Sequence, residues 1–404
     1  MVILKSPTSS IQNILTLRYN PSRNPPLPKL SWINFKEKYY DNPEKTIENY
    51  IKLKISNSIK NSDQKITIAL SSGVDSTLAL LMLKNTIRDS SITALSVKFS
   101  ESVDESKQAA RIANKFDVEH KIVYVENYLQ ELPHAISIIQ LPFWDIHWYY
   151  VVKAARNISK TLVSGDGGDE LFGGYVFRYT KFLSQVSKTS SPITRAKAYL
   201  NCHERDWVPD QEQLFGKNLR FSWDKIYRLL RPYFENKLPL LSQVFLADFN
   251  GKLIYNWLPV NTKFHRFFGM KSVTPILSKK LISYSTHLPE QLKYDKKSNV
   301  GKLPLRKILE KYSTQNLLSK KKQGFSVDTM NLWKTQGYDL CNYYLDNSRI
   351  VEYEWINQDW LDKHFRKNIS SVRYANKFLG VLALEIWCRL FITKEMKSSE
   401  KLII

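Results

Sequence analysis

Residues 66–77 read Ile66-Thr67-Ile68-Ala69-Leu70-Ser71-Ser72-Gly73-Val74-Asp75-Ser76-Thr77, and the apolar run Leu78–Leu83 follows at once. The order is a strand, a turn of small residues, an acid, a hydroxyl and then a helix. Small residues let the backbone approach an anion, and a helix N-terminus presents N–H groups without intrahelical partners. The turn is therefore a candidate phosphate cradle. Asp75, at the start of the helix, suits a metal ion better than a phosphate.

Outward from this turn, apolar runs alternate with helical periodicity. A helix is expected over 43–60, before the first strand. Strand candidates are Ile66–Leu70, Ile92–Phe99, Lys121–Val125 and Thr161–Val163. Helices fill Ser76–Arg88, Glu105–Phe116, Tyr128–Ile139 and Trp148–Ile158 between and after them. Such alternation predicts an α/β fold with a doubly wound parallel sheet, whose ligands bind beyond the carboxyl ends of strands. After about residue 175 the strand signal fades. The remainder reads as helical and aromatic-rich, with breaks near Pro209, Pro232, Pro259 and Pro289. The expected division is an extended, proline-rich leader and linker over 1–42, an α/β core carrying the candidate phosphate cradle over 43–185, a mainly helical region over 186–391 and a polar tail over 392–404.

A second turn follows its own strand. Residues 164–175 are Ser164-Gly165-Asp166-Gly167-Gly168-Asp169-Glu170-Leu171-Phe172-Gly173-Gly174-Tyr175. Carboxylates this close to so many glycines are rarely needed in a plain connection. If both turns face one edge of the sheet, Asp75 and Asp169 converge on one Mg²⁺, with a triphosphate supplying further oxygens.

The 404 residues allow two or three domains. No apolar run approaches the about 20 residues that span a bilayer, and no signal peptide is evident. Cys202, Cys341 and Cys388 lie far apart and form neither a metal-ligand spacing nor a disulfide framework, so a cytoplasmic location is expected. The net charge of +22 is concentrated in part in residues 270–325, which hold 13 Lys/Arg against 3 Asp/Glu. A polyanionic ligand such as ATP would favour that segment. No nucleic-acid motif accompanies the charge, so no nucleic-acid partner is expected.

The two turns together resemble a known family. Leu70–Thr77 is similar to the PP-loop of ATP pyrophosphatases. Ser164–Tyr175 resembles the signature of the synthetase domain of class B asparagine synthetases, whose relatives include β-lactam synthetases. Val97-Lys98-Phe99, Asp104-Glu105-Ser106, His120, Lys302-x-x-Leu305-Arg306, Lys322-Gln323-Gly324-Phe325, Trp333 and Leu382–Phe391 continue the resemblance in order. It implies that Ser71, Ser72, Gly73, Asp75 and Ser76 cradle the β- and γ-phosphates. Leu70 and Val97 would lie against the adenine, and Ser164 and Gly165 would complete the nucleotide pocket. Asp75 and Asp169 would hold Mg²⁺. Asp166 would orient the amine or accept its proton, and Lys302 would steady charge at the α-phosphate, with Arg306 and Lys322 as weaker phosphate contacts. His134 and His147 are expected to serve packing or solvent exposure.

Three departures limit the resemblance. Full-length synthetases begin with a glutaminase domain whose nucleophile is an N-terminal cysteine. Here Met1 is followed by Val2 and no cysteine precedes Cys202, so that domain is expected to be absent. Nitrogen would then come from free ammonia, a separate glutaminase subunit or an amine on the substrate. The family's "GLExRxPFLD" element aligns with Gly269–Ser278, where the acid has become Lys271, the arginine Val273 and the last aspartate Ser278. The acid of its "DEPF" segment is Leu141. The expected function is an ATP-dependent amide ligase acting through an acyl-adenylate on a small-molecule carboxylate. Aspartate is the default acceptor, and a sugar acid, peptide or other metabolite is the rival. A tRNA-modifying PP-loop enzyme and a non-catalytic ATP-binding protein are the alternatives of other classes. A homodimer is the assembly considered.

Overall fold

The computed structural model describes residues 7–60, 64–87, 90–102, 106–318, 327–365 and 371–403. Asp104, Glu105 and the stretch Lys320–Phe325, including Lys322, lie outside the described residues.

The first described element is a helix, α1 (Pro7–Leu17). This corrects the expectation of a wholly extended leader. Ile11, Ile14, Leu15 and Leu17 are buried, at the spacing of one helical face. The prolines at 21, 25, 26 and 28 dominate the composition of this segment, but they all follow the helix and only stop its continuation. Next comes α2 (Pro43–Ser58), which buries Ile47, Ile51 and Ile55.

Five parallel strands follow: β1 (Lys65–Ala69), β2 (Ser91–Phe99), β3 (Glu119–Val125), β4 (Thr161–Val163) and β5 (Lys271–Val273), in spatial order β3-β2-β1-β4-β5. The fold is the expected α/β class with a parallel sheet. Helices α3 (Val74–Thr86), α4 (Ser106–Lys115), α5 (Leu132–Ile139) and α6 (His147–Arg156) cover the two faces. Alternate strand residues feed two apolar layers. Ile66, Ile68 and Leu70 join α2, α3 and α4 on one face. Ala69, Leu95, Val97, Phe99 and Leu162 join α5, α6 and the long helix Val372–Phe391 on the other. Burial on both faces is why these strands read as near-continuous apolar runs.

The observed strands and helices agree with the expected ones to within a few residues. The largest shift is α5, which starts at Leu132 rather than Tyr128 because Pro133 occupies its first turn. β5 corrects the reading that strands end before residue 175. Its three residues are too few to show a period of two, yet they pair in register with Thr161, Leu162 and Val163. A small antiparallel hairpin, β6 (Tyr294–Asp295) and β7 (Val300–Gly301), lies in the helical region and ends immediately before Lys302. No helix among the described residues is long and apolar enough to cross a membrane. All three cysteines are buried free thiols.

Candidate active site

β1 and β4 lie side by side, and the sheet grows away from them in opposite directions, through β2 on one side and β5 on the other. The crevice beyond their carboxyl ends is therefore the topological switch point, where ligands of open α/β sheets bind. Both small-residue turns open there. In the first, Ser76 Oγ donates to the Ser71 carbonyl at 3.0 Å and accepts from the Ser71 N–H at 3.2 Å. Thr77 Oγ1 donates to the Gly73 carbonyl at 2.7 Å. These bonds fix the turn at the start of α3, with Gly73 at its N-cap.

The second turn packs directly on the first, and two glycines make this approach possible. A Cβ on Gly165 would overlap the backbone of Asp75 and Ser76, and one on Gly168 would overlap the Asp75 carboxylate. The short helix α7 (Gly168–Phe172) then presents Asp169 and Glu170. The edge strand supports this turn, because the Val273 carbonyl accepts from the Ser164 N–H at 3.0 Å.

Lys302 joins the two turns from the helical region. The β6–β7 hairpin carries it in, its backbone N–H donates to the Phe172 carbonyl at 2.9 Å, and it takes a left-handed φ of 58° ahead of the helix Leu303–Lys311. Its Nζ lies 2.5 Å from Asp75 Oδ2 and 2.8 Å from Asp169 Oδ1. The lysine is 8% exposed. Burial alone would lower its pKa, but the charges of Asp169 and Asp75 outweigh it and raise the value above that of an ordinary lysine. It is fully cationic at neutral pH. The arrangement holds one positive charge between the two carboxylates at the seam; Asp75 and Asp169 line the adjoining cavity and Lys302 stands behind them.

A cavity of about 830 Å³ extends from this seam. Ser71, Asp75, Ser76, Ser164, Gly165 and Asp169 of the two turns line it, and so does Asp166. Ser164 Oγ donates to Asp166 Oδ2 at 2.8 Å. Burial raises the Asp166 carboxyl to about 6, against the opposing effect of hydrogen bonds from Ser164 and Trp257. A carboxylate tuned to that range can exchange a proton near neutral pH. Segments distant in sequence complete the lining: Arg18, Phe143, Asp145, His147, Arg178 and Asp206. Asp145 Oδ1 bonds His147 Nδ1 at 2.7 Å, and the His147 ring stacks on Trp257 at 5.1 Å.

The crevice thus brings together Ser71, Ser76, Asp75, Ser164, Gly165, Asp166, Asp169 and Lys302, all named from sequence. Ser72 is buried at 1% exposure beside them, and Gly73 caps α3. Leu70 and Val97 are buried in the two apolar layers on opposite faces of the sheet and do not line the cavity. Arg306 lies one turn after Lys302, with Nε donating to the Gly301 carbonyl at 3.0 Å. His134 hydrogen bonds Tyr149 Oη within the packing. His147, expected in packing or solvent, stands on the cavity wall. Its charge partner Asp145 is only two residues away and was the local signal for it. In the altered segment, Val273 faces the core at 1% exposure, Lys271 is exposed, and Ser278 accepts from the Leu281 N–H at 3.2 Å to cap the helix Lys279–Thr286.

The donor set fits Mg²⁺. Asp75 and Asp169 already share one cation, the Lys302 ammonium, so their oxygens can converge on a single positive centre. Mg²⁺ commonly binds through one or two carboxylates with substrate phosphates completing its shell. Among the described residues no group of three or more His, Cys, Asp or Glu could hold a metal alone. A metal here would depend on phosphate oxygens.

The chain is similar to several known proteins. The asparagine synthase family model matches residues 53–389. A Bacillus subtilis protein described as asparagine synthetase [glutamine-hydrolyzing] 1 is 26% identical over 379 residues, covering 84% of this chain and 58% of the relative. A putative asparagine synthetase [glutamine-hydrolyzing] of Mycobacterium tuberculosis is 23% identical over 375 residues, covering 82% of this chain and 55% of the relative. The chain thus spans little more than half the length of these curated relatives. Among solved structures, a U34-tRNA thiolase of Methanococcus maripaludis aligns over 88% of this chain and 86% of its own, with 12% identity and a TM-score of 0.30. An NMN synthetase of Francisella tularensis aligns over 52% of this chain and 94% of its own, with 14% identity and a TM-score of 0.28.

Proposed function

Because this chain belongs to the asparagine synthase family, we propose that it is an ATP-dependent carbon–nitrogen ligase that forms AMP and pyrophosphate. It activates a carboxylate as an acyl-adenylate and passes the acyl group to ammonia or an amine. The single observation that carries this reading is Lys302, within 3 Å of both Asp75 and Asp169 where the two turns meet.

The turn Ser71–Ser76 holds the β- and γ-phosphates through backbone N–H groups at the start of α3. An oxygen of the acceptor carboxylate attacks the α-phosphorus, the bond from phosphorus to the bridging oxygen breaks, and pyrophosphate leaves with the electron pair. Lys302 faces the negative charge that develops there, in a site where a fixed cation is worth more than in water. Asp75 and Asp169 would hold Mg²⁺, which when bound neutralises charge on the phosphates. The amine nitrogen then attacks the acyl carbon, AMP departs, and Asp166 takes the proton released from nitrogen. A carboxyl group near 6 is mostly ionised at pH 7 and ready for that role.

Aspartate is the default acceptor, in a cytoplasmic reaction that uses free ammonia or ammonia from a separate glutaminase subunit. The replacement of the family's acid and arginine by Lys271 and Val273 favours a second reading, in which the same chemistry acts on a different carboxylate. One experiment addresses both. Purified protein is incubated with Mg-ATP and ammonium, with aspartate in one arm and a metabolite extract in the other, and mass spectrometry follows AMP and amidated products. AMP with asparagine supports the first reading, and AMP with another amide the second. Absence of AMP and pyrophosphate in both arms, with ATP affinity unaltered by Asp75→Ala, refutes the ligase.

A further inference from the structure

The cavity wall carries a cation, Arg18, that lies outside the family-matched residues 53–389. Arg18 follows α1 directly and takes a left-handed φ of 63°. A non-glycine residue in that region costs on the order of 1–3 kcal/mol and persists only where its surroundings fix it. They do so here from several sides. The Arg18 N–H donates to the Ile14 carbonyl at 3.0 Å, and its own carbonyl accepts from Asn256. Three residues earlier, the Leu15 carbonyl accepts from Gln211 Nε2 at 3.2 Å and from the buried Lys377 ammonium. Ile11, Ile14 and Leu15 are buried in the same apolar layer as the helix Val372–Phe391. The backbone of Arg18 is thus held as firmly as a core residue.

The side chain is held as well. Its guanidinium lies 4.9 Å from the centre of the Phe143 ring and 5.4 Å from that of Trp144. Nη2 donates to Asp145 Oδ2 at 3.2 Å, and Nη1 stands 3.9 Å from Asp206 Oδ1, too far for a hydrogen bond. Each of these acids also has another cationic or ionisable partner: His147 for Asp145 and Lys252 for Asp206. An arginine carries five N–H donors in a planar fork, and among the described residues this one uses only one of them in a hydrogen bond. A fixed guanidinium with donors to spare, on the wall of a cavity, matches a carboxylate in shape and charge.

We propose that Arg18 is a specificity-determining residue that binds a second carboxylate of the acceptor, apart from the one that is activated. The proposal rests on the ligase reading for what the two turns do, but the subsite can be tested without it. It also gives α1 a role in the site: the helix supplies an anion contact in a chain whose family-aligned arginine position is Val273, a core residue of β5.

The test measures binding to the full chain preloaded with Mg²⁺ and a non-hydrolysable ATP analogue. Isothermal titration compares α,ω-dicarboxylates from succinate to suberate with alkanoates of the same carbon number. Wild type is expected to bind at least one dicarboxylate ten-fold or more tightly than its monocarboxylate counterpart. Arg18→Gln is expected to abolish that preference while leaving affinity for the nucleotide analogue unchanged. Arg18→Lys, which keeps the charge and the packing stem but loses the fork, should retain part of it and controls for misfolding. The subsite is refuted if wild type shows no preference, if Arg18→Gln keeps it, or if Arg18→Gln loses nucleotide affinity, which would assign the residue to ATP. A dicarboxylate preference without pyrophosphate release in the ligase assay would leave the subsite standing and remove the ligase reading alone.

Discussion

Replacing Lys302 by methionine should destabilise the protein and, at the same time, strengthen its hold on magnesium. The substitution keeps most of the side-chain volume and deletes one charge. At 2.5 and 2.8 Å, with an effective dielectric of about 20, each carboxylate attracts the ammonium by about 6 kcal/mol. The two oxygens lie no more than about 5 Å apart, so without the cation they repel by about 3 kcal/mol or more on the same scale. Desolvation of three largely buried ions offsets most of the attraction, and breaking such pairs typically costs about 3–5 kcal/mol. We therefore expect Lys302→Met to lower the unfolding free energy by about 3–5 kcal/mol in EDTA at pH 7, read from urea denaturation followed by circular dichroism. Millimolar Mg²⁺ should restore part of that loss in the variant and do little for wild type, because the vacated position suits a divalent cation. The expected activity loss is on the order of 10²–10³ in kcat, the usual effect of removing one preorganised charge from a reaction centre. The pH dependence follows in sign. Because the folded pKa of Lys302 is raised, its contribution is fully present below the unfolded value of about 10.4 and is lost as pH rises through the folded value. A loss below 1 kcal/mol with no magnesium response would refute the charge triangle as the electrostatic centre of the site.

Three further outcomes are expected. Asp166→Asn should remove an acidic limb near pH 6 from the kcat profile and slow the reaction by about 10²–10⁴. A carboxyl raised to about 6 stabilises the fold fully below its unfolded value near 3.9 and loses that contribution as pH rises through 6, so the variant should be about 1–3 kcal/mol more stable than wild type at pH 8; equal urea midpoints there would contradict the assignment. Gly168→Ala forces a methyl group onto the Asp75 carboxylate and should weaken ATP binding at least ten-fold by titration calorimetry, at a stability cost of about 1–3 kcal/mol. Ser278→Ala removes the cap of the helix Lys279–Thr286 and should cost about 1 kcal/mol in urea melts with ATP affinity intact; a change in affinity would move Ser278 from support into the site.

The sheet and both turns were legible because their signals are local. A strand, a small-residue turn and an apolar helix are contiguous in Ile66–Leu83, and the pattern recurs at Thr161–Phe172. Lys302 could be named only through its resemblance to a family stretch, because nothing in its neighbourhood of basic residues marks it as the one that is buried. Strand β5 was invisible for a different reason: a three-residue strand is defined by its partner, here Thr161–Val163, and not by its own periodicity. The part of the cavity wall outside the two turns was the least legible. Arg18, Phe143 and Asp206 are separated by more than a hundred residues in part, and only tertiary packing brings them together. Proline content near residues 21–28 also outweighed the helical spacing of Ile11, Ile14 and Leu15.

The Lys302–Asp75 contact closes a span of 227 residues. Chain closure over such a distance belongs late in folding, since the entropy of long loops must be overcome before the contact stabilises anything. During synthesis, the α/β core can therefore emerge and collapse while Asp75 and Asp169 still face each other without a counter-charge. Until the hairpin arrives, these two acids work against the compaction of the crevice. The residue proposed to steady the reaction thus doubles as a late tie, the charge that lets the two acidic turns of the crevice stay packed together.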